Sequence, residues 1–186
     1  MTVNKYLLLT GGLLLISLVL KAKKVSTKMF SKFPALIQLK LNALNDSLTF
    51  AGVPEEKRKY LISQILFETG SFTAKSKVAE LNNNFTGIKW LNKPYQKASK
   101  GSDVPTKERK TPASNPLNFY AYFTDFNAWA TDYIRILSTF GSKPINATSL
   151  VDYVNRLAKN KYFDVTQPNA VNNYYKGLKY FYDKLN

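Results

Sequence analysis

The chain has no histidine and no cysteine, and only 12 of its 186 residues are acidic. Those absences remove Ser-His-Asp triads, thiolate nucleophiles, and imidazole or thiolate ligands for zinc. No metal and no cofactor is expected, and any acid chemistry falls to carboxylates from a short list. The missing cysteines do not indicate a compartment, since a core of this length needs no disulfide staple. Arginine is scarce as well, with four residues. The lysines are scattered rather than striped, so no specific nucleic acid is expected as a partner.

What is present is a strongly cationic chain, with 27 Lys and Arg giving a net charge of +15, and an apolar fraction of 45%. That fraction and the length suit one domain with a real core. The charge suits a polyanionic surface such as a bacterial wall bearing phosphates or carboxylates, or it records a Lys/Asn-favouring codon usage.

From Tyr6 to Leu20 the sequence is apolar apart from Thr10 and Ser17, with Lys5 before it and Lys21, Lys23 and Lys24 after it. Counted from Val3, the run extends about 27 Å as a helix, enough for a hydrocarbon core with Lys5 snorkelling. A secretory signal is the rival reading, but no small-x-small cleavage site follows. Residues 1–24 are therefore expected to be a single-pass membrane anchor, contacting the bilayer through residues 3–20, with a basic linker at 25–33. Lysines cluster on the C-terminal side, including Lys28 and Lys32, which by the positive-inside rule holds the remainder in the cytoplasm. A bacterial cell membrane and the membrane of a virus particle both remain open.

Residues 34–186 then read as mainly helical. Pro34 suits a first helical position, and Ile37, Leu41, Leu44 and Leu48 repeat at helical spacing up to Gly52. A second helix starts at Pro54-Glu55-Glu56, turns Leu61, Ile65 and Leu66 inward, and ends at Gly70. Lys89 to Leu117 is rich in Pro, Gly, Ser and Lys and reads as a loop or ragged β-hairpin lobe. Asn118 to Phe123 alternates as a strand, Phe119, Ala121 and Phe123 on one side and Tyr120 and Tyr122 on the other. Three helices follow, carrying Phe126, Trp129, Tyr133, Leu137 and Phe140; Leu150, Val154 and Leu157; and Val171, Tyr174, Leu178, Phe181 and Leu185. The fold class is α+β, mainly α.

The stretch that carries chemistry is Gln64-Ile65-Leu66-Phe67-Glu68-Thr69-Gly70, then a short basic spacer, then Asn83-Asn84-Phe85-Thr86-Gly87-Ile88-Lys89. Glu68 follows Ile65 by three residues and Leu61 by seven, which puts it on their core-side face near the negative end of the helix dipole. Desolvation and the dipole both favour a protonated carboxyl group, which suits a general acid.

The stretch resembles the active-site signature of the peptidoglycan-cleaving N-acetylglucosaminidases, family 73 of the glycoside hydrolases in the lysozyme-like superfamily: Gln-x-x-x-Glu-Ser/Thr-Gly, then Asn-Asn-x-x-Gly-Ile-Lys. The resemblance covers most of residues 35–185. It implies a lysozyme-like domain with a small β-hairpin lobe, with Glu68 as general acid in cleavage of the β-1,4 bond after N-acetylglucosamine. The family's Thr-x-Glu matches Thr106-Lys107-Glu108, which makes Glu108 the candidate to activate water, with Asp103 as fallback or the substrate's own acetamido group as nucleophile. Tyr162 stands where the family keeps a tyrosine near the reacting sugar, although the glycine before it is here Lys161 and Thr-Asp-Pro has become Val165-Thr166-Gln167-Pro168. Trp90 and Tyr95 are candidates to stack on pyranose faces or to pack, Tyr120 and Tyr122 belong to the aromatic strand, and Asn83 and Asn84 either hold the turn or bind acetamido groups. The implied partner is the peptidoglycan glycan strand. The alternatives are a lytic transglycosylase, in which one Glu makes both proton transfers, and a non-catalytic structural or wall-binding membrane protein of a virion.

Overall fold

Six consecutive residues, Leu61 to Leu66, are buried in the helix Glu55–Glu68, so its middle turns are enclosed on every face. The structure is a computed structural model that describes residues 29–73, 77–104 and 115–185. In chain order its elements are α1 (Ala35–Phe50), α2 (Glu55–Glu68), α3 (Lys77–Asn82), β1 (Ser99–Asp103), β2 (Phe119–Tyr122), α4 (Phe126–Thr139), α5 (Leu150–Lys159) and α6 (Ala170–Tyr182). The class is α+β and mainly helical, with one two-stranded antiparallel sheet.

Helical periodicity locates the core. Leu41, Leu44 and Leu48 of α1 are buried, as are Trp129, Tyr133 and Leu137 of α4, Tyr153, Val154 and Leu157 of α5, and Tyr174 and Leu178 of α6. Helix α2 packs against α1 and α6, α1 against α4, and α5 against α6. Side-chain caps start α4 and α5: Asp125 accepts from the Ala128 N–H and Ser149 from the Asp152 N–H, which satisfies amides that would otherwise lack partners at the helix start.

The basic spacer of the sequence contains a short helix, α3. In the segment expected to be a linker, Phe30 and Phe33 are buried in the core and Gln38 Nε2 donates to the Phe33 carbonyl at 2.7 Å, so residues ahead of Pro34 are already part of the packed domain. The expected anchor at residues 3–20 lies outside the described residues, among which no helix is long and apolar enough to cross a membrane.

The sheet forms a lobe beside the helices. Ser99 pairs with Tyr122 and Lys100 with Ala121, and an irregularity shifts the register before Asp103 meets Phe119. Gly101 sits in that irregularity. A Cβ there would stand 2.7 Å from the Tyr120 carbonyl oxygen, which accounts for glycine at this position. On the other edge of β2, Lys89 bridges Tyr120, with the Ala121 N–H donating to Ile88 O and the Trp90 N–H to Phe119 O, each at 2.9 Å.

Candidate active site

Glu68 is the last residue of α2, and the three residues after it close the helix. The Ser71 N–H donates to Leu66 O at 2.8 Å and the Gly70 N–H to Phe67 O at 3.2 Å, with Gly70 at φ +55°. This pair of bonds is the Schellman closure, for which the left-handed residue is usually glycine. Thr69 is buried; its hydroxyl donates to Ile65 O at 2.7 Å and accepts from the Phe72 N–H at 3.2 Å. The Glu-Thr-Gly of the motif is thus a helix stop that leaves Glu68 at the surface rather than in the core, an outcome that spacing from Leu61 and Ile65 did not anticipate.

The carboxyl group faces a cleft of about 530 Å³ lined by Glu68, Thr86, Gly87, Ile88, Lys89, Leu91, Ile136, Tyr162, Phe163 and Tyr174. Tyr174 of α6 donates its hydroxyl to Glu68 Oε1 at 2.6 Å. Its ring lies parallel to Phe163, with centroids 4.0 Å apart, and meets the edge of Phe67 at 5.2 Å. Desolvation in the cleft pushes the Glu68 pKa above the ordinary glutamate value, and the Tyr174 hydrogen bond partly opposes it by favouring the carboxylate. Burial, and then the negative charge of Glu68, holds Tyr162 and Tyr174 well above the usual phenol range, so both are neutral donors.

Tyr162 reaches the cleft by a second closure of the same kind. At the end of α5 the Tyr162 N–H donates to Leu157 O at 3.1 Å and the Lys161 N–H to Ala158 O at 2.9 Å. Lys161 takes φ +52°, the conformation glycine adopts without strain. Lysine therefore holds a left-handed backbone position here. The Tyr162 hydroxyl donates to Thr86 O at 3.2 Å, which ties α5 to the turn facing Glu68.

One turn below Glu68, Gln64 is fully buried. Its Oε1 accepts from the Tyr133 hydroxyl at 2.7 Å and from the Tyr153 hydroxyl, joining α2, α4 and α5 beneath the cleft. Asn82, Asn83 and Asn84 pin the lobe to the helices. Asn82 Nδ2 donates to Ser102 Oγ at 2.6 Å and Asn83 Nδ2 to Phe123 O at 2.9 Å. Asn84 Nδ2 donates to Ile88 O at 2.8 Å and Ala121 O at 3.0 Å, while its Oδ1 accepts the Ile88 N–H at 2.9 Å. The loop at the cleft rim is held by Gln96, whose Oε1 accepts the Leu91 N–H at 2.7 Å and whose Nε2 donates to Lys89 O at 2.9 Å and to buried Asp132 at 3.2 Å.

No known protein family, characterised protein or solved structure matches this chain. The residues themselves therefore carry the argument about the site.

Of the residues singled out from sequence, Glu68 and Tyr162 line one cleft. Asn84 lies buried beneath it, and Asn83 instead lines a smaller pocket of about 230 Å³ with Lys40, Phe72 and Phe126. Trp90 meets the edge of Phe119 at 6.3 Å. Tyr95 is half exposed, with the Arg135 guanidinium 4.7 Å from its ring centre. Tyr120 lies under the Lys89 ammonium, 3.7 Å from its ring centre. Tyr122 is exposed on β2 and Asp103 ends β1, neither of them lining the cleft. Glu108 lies outside the described residues. Glu68 is the one carboxylate among the described residues of the lining, and among the described residues no cluster of acids suits a metal ion. Sequence reading passed over Tyr174, which looked like one more apolar-face residue of the last helix, and treated Lys89 only as the end of a motif.

Proposed function

We propose that this chain is a lysozyme-like peptidoglycan hydrolase that cleaves the β-1,4 bond after N-acetylglucosamine, with Glu68 as general acid and residues 1–24 as a membrane anchor. The observation that carries this reading is the Glu68 carboxyl group in an open cleft, its pKa raised by desolvation and its Oε1 bonded to the Tyr174 hydroxyl at 2.6 Å. A raised pKa keeps the acid form to higher pH than in an ordinary glutamate, in the direction that protonation of a glycosidic oxygen requires. Once the proton has moved to the leaving oxygen and the C1–O bond has broken, the Tyr174 hydroxyl supports the carboxylate left behind. The cleft also offers aromatic and aliphatic walls at Phe163, Ile136 and Leu91 for the apolar faces of pyranose rings.

The second step belongs to water activated by Glu108, or to the substrate's acetamido oxygen attacking C1 before water opens the ring so formed. Glu68 as the one carboxylate among the described lining residues also favours a second reading, a lytic transglycosylase that adds no water. Digestion of peptidoglycan by the full-length protein separates these. New reducing ends on N-acetylglucosamine are expected. An anhydro end group on the muramyl sugar supports the transglycosylase, and a reducing muramyl end or no cleavage overturns the proposal.

A further inference from the structure

Helix α1 is apolar on two opposite faces. Leu41, Leu44 and Leu48 form the inner one and are buried. Leu36, Leu39, Ala43, Asp46 and Phe50 recur at alternating steps of three and four residues, which sets them together on the other side of the helix. There Leu36 is 69% exposed, Leu39 63% and Phe50 69%. Exposed apolar residues scattered singly are ordinary, but a line of them marks an interaction surface. The two leucines also stand beside the point where the chain enters the domain. The Phe33 N–H donates to Phe30 O at 3.0 Å and Gln38 Nε2 donates to Phe33 O at 2.7 Å, which ties the entry turn to the start of α1. Residues 21–28 separate the apolar run ending at Leu20 from Met29, and a stretch of that length reaches at most about 28 Å. It contains Lys21, Lys23, Lys24 and Lys28, and Lys40 follows Leu36 by one turn of α1, a charge complementary to anionic headgroups.

We propose that the first turns of α1 are a membrane-docking surface, with Leu36 and Leu39 entering the boundary between headgroups and acyl chains of an anionic bilayer. The inference rests on the anchor reading above and adds a second contact between the domain and the membrane. An anchor holds the two leucines close to the surface, so docking is intramolecular and needs little affinity of its own. Leucines inserted at that boundary leave water, while lysines near them keep their ammonium groups among the headgroups. Asp46 shares the face, about 15 Å along the helix from Leu36. A carboxylate there confines docking to the N-terminal half of α1 and opposes burial of the whole face against a second copy. None of the described residues lining the Glu68 cleft belongs to α1, so docking does not use the cleft.

The chain has no cysteine of its own, so a single introduced one carries an environment-sensitive fluorophore to one site. Leu36→Cys and Leu39→Cys are made separately in the full-length protein, with Val151→Cys, exposed on α5, as the control. Each is reconstituted in vesicles of equal parts phosphatidylcholine and phosphatidylglycerol. All three positions are exposed, so the substitutions leave the core intact. Labels at 36 and 39 should shift their emission to the blue. They should also lose more emission to lipids with a doxyl group high on the acyl chain than to lipids with one near its end, because insertion reaches only about 5 to 10 Å. The control label should do neither. Unquenched labels at 36 and 39, or a control quenched as strongly as they are, overturn the inference. A blue shift without quenching also overturns it, since protein then covers the face, whether residues 3–20 or a second copy. A carbonate wash of the same vesicles separates this surface from the anchor. Retained protein with unquenched labels removes the docking surface and leaves the anchor standing. Quenched labels on protein that carbonate strips away do the reverse, and a lack of both retention and quenching removes both.

Discussion

Tyr174 of α6 donates its hydroxyl to Glu68 of α2 at 2.6 Å, joining residues 106 positions apart in the chain. The bond crosses the contact between the two helices at the cleft, and it makes the protonation of one carboxyl group depend on how α6 packs. Removing the hydroxyl alone tests that dependence. In Tyr174→Phe the carboxylate loses a donor, so the Glu68 pKa rises beyond its already raised position. The descending limb of the pH–rate profile should then move to higher pH, because the acid form persists longer. The plateau rate should fall less than tenfold, in keeping with one hydrogen bond. A limb that stays in place or moves to lower pH would show that the bond does not control Glu68.

Glu68→Gln should lower cleavage of peptidoglycan by about 10² to 10⁴-fold, the usual contribution of a general acid, as read from released reducing ends. It should also raise the melting temperature at neutral pH. Folding raises the Glu68 pKa, so the folded state disfavours ionisation. That penalty is absent at low pH, where both states are protonated, and develops as pH rises through the folded pKa. The variant and the wild type should therefore melt alike near about pH 3, below the ordinary glutamate range, and diverge toward neutrality.

Gly177 lies one turn after Tyr174 on α6, and a Cβ built on it would stand 2.3 Å from the Phe67 ring. Gly177→Ala gains about 1 kcal/mol of helix propensity but overpacks the contact at a cost of about 1 to 3 kcal/mol. Net destabilisation and a displaced Tyr174 are expected. In a Phe67→Ala background the same change should become stabilising. Urea unfolding of the four proteins in this cycle checks the coupling, and an unchanged sign would remove Phe67 as the cause.

Asn84→Ala should destabilise the protein by about 2 to 4 kcal/mol, because it strands the buried Ile88 N–H and takes a donor from each of the Ile88 and Ala121 carbonyls. Asn83→Ala removes one bond to Phe123 O and should cost about 1 kcal/mol. Equal losses in urea unfolding would mean that the turn is held by other contacts.

The apolar run from Tyr6 to Leu20 should keep the full-length protein in membranes through salt and carbonate washes, since its burial outweighs any attraction that salt screens. The mature chain should retain its original N-terminus. A mature chain beginning after Leu20 in mass spectrometry would turn the anchor into a signal peptide.

Local patterns were legible because their causes are local. Apolar residues at helical spacing announced α1, α4, α5 and α6, and Pro54 and Gly70 bracketed α2, since amphipathic burial and helix stops act within a few residues. Alternation announced β2, but its partner β1, Ser-Lys-Gly-Ser-Asp, has no apolar side chain to alternate and is a strand only by pairing with β2. Asparagines at 82–84 signalled a turn; which backbone groups they bind depended on where β1 and β2 lie. The sequence nominated Glu68 as the acid and, through the resemblance, Tyr162 as a residue near the reacting sugar. Only the packing of α6 on α2 made Tyr174 a partner of Glu68, and only the bridge between residue 89 and β2 carried Lys89 to the cleft, because both depend on contacts between segments that spacing along the chain does not encode.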